Sequence, residues 1–406
     1  MAQRIRTVFF WLHLAAGLLA GVVVVIMSAT GVLLAFEKQL VYYADTRHIS
    51  LTPPAAAAPL PIDEILARVA ATGLVASPSA IAVRRDPTAP VALTIGQGVV
   101  AYADPYTGRL LGKGDVGVRA FFRSMTDWHR WLAASGEYRA TGRAVTGAAN
   151  LAFLFIVLSG AYLWLPRTWA WRAVRQVIWF RGGLPGKARD FNWHNTIGVW
   201  SVVPLAILVA SGAVISYPWA SNLVYRIAGE APPVPRGAGG AGAAEARPAP
   251  RGEVMSRGER LGPAVATAPQ ALAPAWSTAL RHRPEWQAIS LRLPASATSP
   301  LIFTIDEGGP GQPQHRGTLT VDRATGAVTK WDDFAAGTRG RQWRSLLRFA
   351  HTGEVLGPVG QAIAGLASLG GVVLAYTGFA LSYRRFVAWL ARRRRPLVQA
   401  AARPAA

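Results

Sequence analysis

Residues Val8–Phe36 read VFFWLHLAAGLLAGVVVVIMSATGVLLAF, an almost charge-free run with His13 near its start. About 20 consecutive apolar residues suffice to cross the hydrocarbon core of a bilayer, so this stretch alone predicts a membrane-spanning helix. Three more stretches of the same kind follow at Val145–Leu165, Ile197–Tyr217 and Leu356–Leu381. Together they explain a chain of 406 residues that is 51% hydrophobic and only 16% charged, too apolar for a water-soluble protein of this length. Arg4 and Arg6 give the first run the look of a signal peptide. The run is too long for one and no convincing small-residue cleavage site follows, so it reads as an uncleaved anchor.

A net charge of +22 raises nucleic-acid binding, but the placement of the charge argues against it. Arg4, Arg6, the segment 167–190 and the tail from Arg384 hold fifteen Lys and Arg against one acid, Asp190. Basic residues crowded into short segments beside membrane spans are the positive-inside signature. Both termini and the central loop are therefore expected in the cytoplasm, with two larger segments outside.

The spans belong to a repeated unit. Counted from His13, a glycine follows at Gly17, a hydroxyl and glycine at Thr30-Gly31 and an aromatic at Phe36; the same offsets from His194 give Gly198, Ser211-Gly212 and Tyr217. After His129, with four extra residues, Gly142, Gly147 and Ser159-Gly160 answer to Gly360, Gly365 and Thr377-Gly378 after His351. The outer segments echo each other too, with Tyr102-Ala-Asp-Pro-Tyr-Thr-Gly108 recurring as Thr320-Val-Asp-Arg-Ala-Thr-Gly326, a strand entering an Asp/Thr/Gly turn. The expected fold is an α-helical integral membrane protein with four transmembrane helices in two parallel repeats, plus α+β extracytoplasmic domains. Its parts are helix 1 (1–36), an outer domain (37–119), helix 2 with the segment before it (120–165) and a cytoplasmic loop (166–190). Helix 3 (191–217), a second outer domain (218–341), helix 4 with its preceding segment (342–383) and a basic tail (384–406) follow. In the outer segments a helix is expected at Ile62–Ala71, with strands at Ala80–Arg84, Val91–Ile95, Val99–Ala103, Ala288–Leu293, Leu301–Ile305 and Thr318–Asp322. The Pro/Gly/Ala-rich stretch Ala231–Pro250 reads as a mobile insert. Its Gly237, Gly239 and Gly242 match a dinucleotide-binding spacing, rejected because no strand precedes and no helix follows.

Parallel repeats put His13 level with His194 near the cytoplasmic side, and His129 level with His351 near the outer side. A lone histidine at a helix end is more often a hydrogen-bonding group than a ligand; four at equivalent offsets beside membrane spans point to a function. Imidazole suits haem iron. The chain has no cysteine, which excludes disulfides, thiolate-held clusters and covalent c-type attachment, so the expected cofactors are two non-covalent b-type haems with His13, His194, His129 and His351 as axial iron ligands. Arg6, Arg189, Arg123, Arg130 and Arg348 are candidate partners for haem propionates. Gly17, Gly198 and Gly147 could admit a flat macrocycle or close helix packing. Phe153, Phe155, Trp200 and Tyr376 are candidate aromatics between the levels, and Trp11 and Trp193 candidate interface anchors. His48, His282 and His315 have no repeat counterparts and read as surface residues.

With Asp104-Pro-Tyr-Thr-Gly108, Trp128-His129-Arg-Trp131, Trp193-His194-Asn195 and His351-Thr-Gly-Glu354 in hand, the chain resembles the PepSY-associated transmembrane proteins over nearly its whole length. That family includes inner-membrane siderophore-iron reductases. The resemblance implies four-helix haem carriage, PepSY-like outer domains and reduction of a ferric siderophore or other ferric chelate at the periplasmic face, freeing iron. Some relatives continue into a flavin or nicotinamide reductase domain, so the electron donor here is expected to be a quinol or a separate cytoplasmic reductase. The alternative is a PepSY-based membrane protein that binds or regulates a periplasmic peptidase or envelope partner without redox activity.

Overall fold

The computed structural model describes residues 2–55, 58–73, 78–95, 99–165, 170–234, 272–294, 296, 299–309 and 311–401. The first half runs α1 (Ala2–Leu34), α2 (Glu37–Thr46), α3 (Ile62–Ala71), β1 (Pro78–Arg84), β2 (Val91–Ile95), β3 (Val99–Ala103), β4 (Leu110–Lys113), α4 (Val116–Trp131) and α5 (Arg139–Trp164). After α6 (Trp171–Ile178), the second half runs α7 (Gly186–Ser216), α8 (Pro218–Ile227), α9 (Ala273–His282), β5 (Ala288–Arg292), β6 (Leu301–Asp306), β7 (Arg316–Val321), β8 (Val328–Asp332), α10 (Arg339–His351) and α11 (Gly357–Ala401). From residue 235 on, the stretch read as a mobile insert lies outside the described residues, as do the three glycines of the rejected motif. The elements build two compact units, one of Met1–Ala35, Ser124–Ser221 and Ala350–Ala406, the other of Phe36–Arg123 and Asn222–Phe349.

The first unit holds four helices long and apolar enough to cross a membrane: Gln3–Leu34, Gly136–Trp164, Gly186–Ser216 and Glu354–Arg393. Helix is what such sequences form in lipid, because every backbone N–H and C=O must be satisfied inside the segment. Helix α1 packs on α5 and α11, and α7 packs on the same two, so α1 faces α7 and α5 faces α11 across the diagonals. The outward faces are greasy: Leu19 is 87% exposed, and Val203 and Leu366 stand out likewise. That is costly in water and correct in hydrocarbon. Inside, small residues let the helices close up, as where Gly21 accommodates Phe379 and Gly370 accommodates Ser201. Phe153 lies in the middle of the bundle, packed with Ala20, Val24 and Ala149 on one side and Val157, Leu205 and Ala367 on the other. Across the diagonal its ring fills the space over Gly371, where an added Cβ would come within 3.5 Å.

The second unit holds one antiparallel sheet of eight strands in the order β4-β3-β2-β1-β5-β6-β7-β8. Two separate outer domains were expected; their strands join instead. Strand β1 pairs with β5 from Ala80 opposite Arg292 to Arg84 opposite Ala288. Each four-strand set alone would leave an edge of unpaired backbone groups there, and the pairing satisfies both at once. Burial alternates along β2, β6 and β7, as for a sheet with one covered face. The cover is supplied by Ile62, Ile65 and Val69 of α3 and Ala275, Trp276 and Ala279 of α9. Fully burying a side chain such as Leu291 or Phe303 contributes about 1.5–3 kcal/mol. The Asp63 carboxylate on α3 accepts the Leu272 N–H at 2.8 Å and the Ala273 N–H at 2.8 Å, closing the start of α9.

Both echoed turns form as the sequence predicts. Asp104 accepts the N–H of Tyr106 at 2.8 Å, Asp322 that of Thr325 at 2.8 Å, and Gly108 and Gly326 each take φ +68°. Such left-handed backbone is where glycine costs least. The same unit buries Asp45, which accepts the Tyr102 hydroxyl at 2.8 Å, the Asp115 N–H at 2.6 Å and an Arg119 N–H. Burial and the Asp45 carboxylate push the Tyr102 hydroxyl above its ordinary value.

Candidate functional site

All four histidines singled out in the sequence belong to the helical unit, and they meet in two pairs. His13 on α1 faces His194 on α7 with ring centroids 6.5 Å apart and planes at 83°. His129, at the end of α4, faces His351, at the end of α10, at 6.2 Å and 62°. Thr30 touches His129, and α1 rises roughly 26 Å from His13 to Thr30 at about 1.5 Å per residue, so the pairs lie at opposite ends of the bundle.

Each ring is held by one hydroxyl–glycine dipeptide on a neighbouring helix. Nδ1 of His13 lies 2.9 Å from the Ser159 hydroxyl, that of His194 2.9 Å from Thr377, that of His129 3.0 Å from Thr30 and that of His351 3.3 Å from Ser211. At His351 the Leu208 carbonyl, three residues before the Ser211 hydroxyl, also lies 2.8 Å from Nδ1, and the backbone of Ile156, Leu374 and Met27 stands beside the His13, His194 and His129 rings in the same relation. A carbonyl oxygen only accepts, so Nδ1 carries the proton in the His351 ring. The hydroxyls are already committed as donors within their own helices, Thr30 to Ile26 at 2.7 Å, Ser211 to Ile207 at 2.6 Å, Thr377 to Val373 at 2.8 Å and Ser159 to Ile156 at 3.2 Å. They therefore meet Nδ1 through oxygen lone pairs.

The glycine after each hydroxyl makes room for the ring. A Cβ at Gly160 would stand 3.2 Å from Cε1 of His13 and one at Gly212 3.2 Å from Cε1 of His351; at Gly31 and Gly378 the distance to His129 and His194 would be 3.6 Å. Burial pushes the His129 imidazole down to about 4, with His351 adding to the shift, which again favours the neutral ring. The turn behind His129 is tight: Leu132 and Ala133 take φ 53° and 57°, and a Cβ on Gly142 would lie 2.2 Å from the Trp131 carbonyl oxygen. Behind His351 the matching turn uses Gly353 at φ 74°, against which Gly360 packs with no room for a side chain.

Two imidazoles facing each other at this separation could together hold one metal centre. Two rings sharing a metal at about 2.0 Å per bond stand with centroids roughly 6.3 Å apart once the ring radius is added at each end. Among the described residues no group of three or more His, Asp or Glu side chains could hold a bare ion. The pairs thus suit a centre that brings its remaining ligands with it.

The family described as the PepSY-associated TM region matches residues 10–385. The chain belongs to this family. The match begins just before His13 and ends at Arg385, so both pairs and all four dipeptides of this PepSY-associated TM protein lie within it. No curated protein matches the chain.

The other sequence candidates separate. Gly17 has nothing within 4 Å of an added Cβ and Gly198 has Leu374 at 3.7 Å, whereas Gly147 is occupied by the Tyr217 hydroxyl at 2.6 Å. Arg6 donates to the carbonyls of Leu163 and Leu165, and Arg189 binds Asp190 at 2.9 Å. Of the aromatics, Phe153 is the one inside the bundle; Trp200 and Tyr376 are exposed, and Phe155 stacks on Phe9. Trp11 is half-exposed beneath the Arg385 guanidinium, and the His282 ring packs on Trp331 at a tilt of 56°. In the sequence Thr30, Ser159, Ser211 and Thr377 stand out as repeat markers, with no sign that they hold the histidines. Their recurrence at equivalent places in the two halves was the available signal.

Proposed function

We propose that this PepSY-associated TM protein is a diheme transmembrane oxidoreductase that carries electrons across a bacterial inner membrane to a periplasmic ferric chelate, of which a ferric siderophore is the leading candidate. The observation that carries this reading is the pair of facing histidines, each ring held at Nδ1 by a hydroxyl of a neighbouring helix, at each end of one bundle. Bound there, haem b would supply one-electron iron chemistry, and His13 with His194, and His129 with His351, would hold it. Thr377, Ser159, Thr30 and Ser211 fix the ring orientations and raise the basicity of Nε2, the usual work of groups behind a metal-bound imidazole. The apolar layer around Phe153 keeps water out between the two levels. In this reading the two halves are parallel repeats sharing one orientation, the basic flanks stay cytoplasmic and the sheet unit is periplasmic.

The test is a dithionite-reduced spectrum of the purified protein with a haem assay. Two b-type haems per chain are expected. One should remain in His13→Ala or His194→Ala, the other in His129→Ala or His351→Ala. Proteoliposomes with an internal reductant should then reduce an external ferric chelate. A haem-free protein, or four alanine variants with unchanged spectra, would sink the proposal.

A further inference from the structure

The loop between α6 and α7 is built with more care than a connector requires. Asn192, buried on α7, accepts the Arg181 N–H at 3.0 Å and donates to the carbonyls of Trp179 at 3.0 Å and Gln176 at 3.3 Å. One and two turns along the same face, the buried Thr196 hydroxyl donates to Trp179 at 3.3 Å and the Trp200 indole donates to Ile178 at 2.9 Å. These side chains satisfy the open carbonyls at the end of α6 and clamp residues 176–181 to α7. Asp190 is equally deliberate: 1% exposed, it holds Arg189 at 2.9 Å and Arg384 of α11 at 2.9 Å. The fixed Arg189 guanidinium stands 5.7 Å over the Trp193 ring, and Phe180 meets that ring edge-on at 6.4 Å.

Beside this frame lies an open cavity of about 350 Å³ lined by Phe180, Arg181, Gly182, Gly183, Leu184, Arg189 and Trp193. Its walls are two aromatic rings and an aliphatic side chain, and its charged groups are guanidinium donors. Among the described residues no carboxylate lines it. The space suits one flat ring system bearing oxygen acceptors. Trp179, just before Phe180, and Trp200, on the helix that carries Trp193, are exposed, and tryptophan settles at the membrane–water interface, the depth of a lipid-soluble quinone headgroup. Trp193 is the residue before His194.

We propose that this cavity binds a membrane quinol headgroup and is where electrons enter the protein, an inference that rests on the diheme reading. Both O–H bonds of the quinol break, its two protons leave to water on the open side of the cavity, and its two electrons pass one to each ferric centre, leaving the quinone. Arg189 hydrogen-bonds a quinol oxygen and Trp193 stacks on the ring.

The full-length protein in nanodiscs is labelled with an azido-quinone and mapped by peptide mass spectrometry. It is also mixed with menadiol in a stopped-flow cell while haem absorbance is followed. Label on residues 180–193, competed by short-chain quinone, is expected. Trp193→Ala, Phe180→Ala and the cavity-filling Leu184→Phe should each slow menadiol-driven reduction at least tenfold while leaving the dithionite-reduced spectrum intact. Label elsewhere, or rates within twofold of wild type in all three variants, overturns the site. A protein without a haem band fails the diheme reading instead, and the labelling result still decides the cavity.

Discussion

Thr377 carries one oxygen that closes a bond inside α11 and also receives the His194 ring. Groups in this position behind a metal-bound histidine are worth roughly 10–100-fold in affinity. Thr377→Val should therefore weaken haem retention at the His13/His194 end about tenfold, and shift its midpoint potential, in a redox titration followed by absorbance. Thr377→Ser should restore both. Gly142 tests the other end: an alanine there meets the Trp131 carbonyl at 2.2 Å, two residues from His129. Overpacking of that kind costs about 1–3 kcal/mol. Gly142→Ala is expected to lose the His129/His351 haem while keeping the other, read as one haem per chain. The histidines were legible because duplication repeated them at fixed offsets. Their hydroxyl partners were not, because spacing along one helix says nothing about which helix lies beside it.

At the scale of elements, the spans were legible and their limits were not. Helix α7 begins at Gly186, well before the apolar run that starts at Ile197, because helical backbone continues through polar residues once their side chains find partners. The segments before spans two and four proved to be helices, α4 and α10, the first carrying His129 in its last turn and the second ending on His351. They are marked by a turn, with glycine behind His351 and without it behind His129. A left-handed backbone at a residue with a Cβ costs roughly 1–2 kcal/mol. Ala133→Gly is accordingly expected to stabilise the protein by about 1 kcal/mol in chemical denaturation, with no change in haem content. In the sheet unit the helix Ile62–Ala71 and the strands Val91–Ile95 and Val99–Ala103 end where alternation and turn residues said they would. Short strands with strict alternation between Asp/Gly turns leave little freedom in register.

For the molecule as a whole, the sequence concealed the union of the two outer segments. Each reads as a complete α+β module, and nothing in the pattern of β1 or β5 announces that a strand more than two hundred residues away is its partner. The union is reinforced by Asp63, whose carboxylate in the first segment closes the helix of the second. Loss of such a cap costs about 1–2 kcal/mol. Asp63→Ala should lower the thermal midpoint of the purified protein by roughly 4 °C, with both haems retained.

During synthesis, β1 must wait for β5. Ala80 leaves the ribosome roughly 10–40 s before Arg292 at about 5–20 residues per second, and α5 and α7 have to enter the membrane in between. Over that interval the edge of β1 is open, and an open edge accepts any strand of the right register, including β5 of another nascent chain. Two copies translated side by side can thus trade halves, each completing its sheet with the other's second segment. Crowded expression should yield an exchanged dimer from a protein whose single copies are already whole.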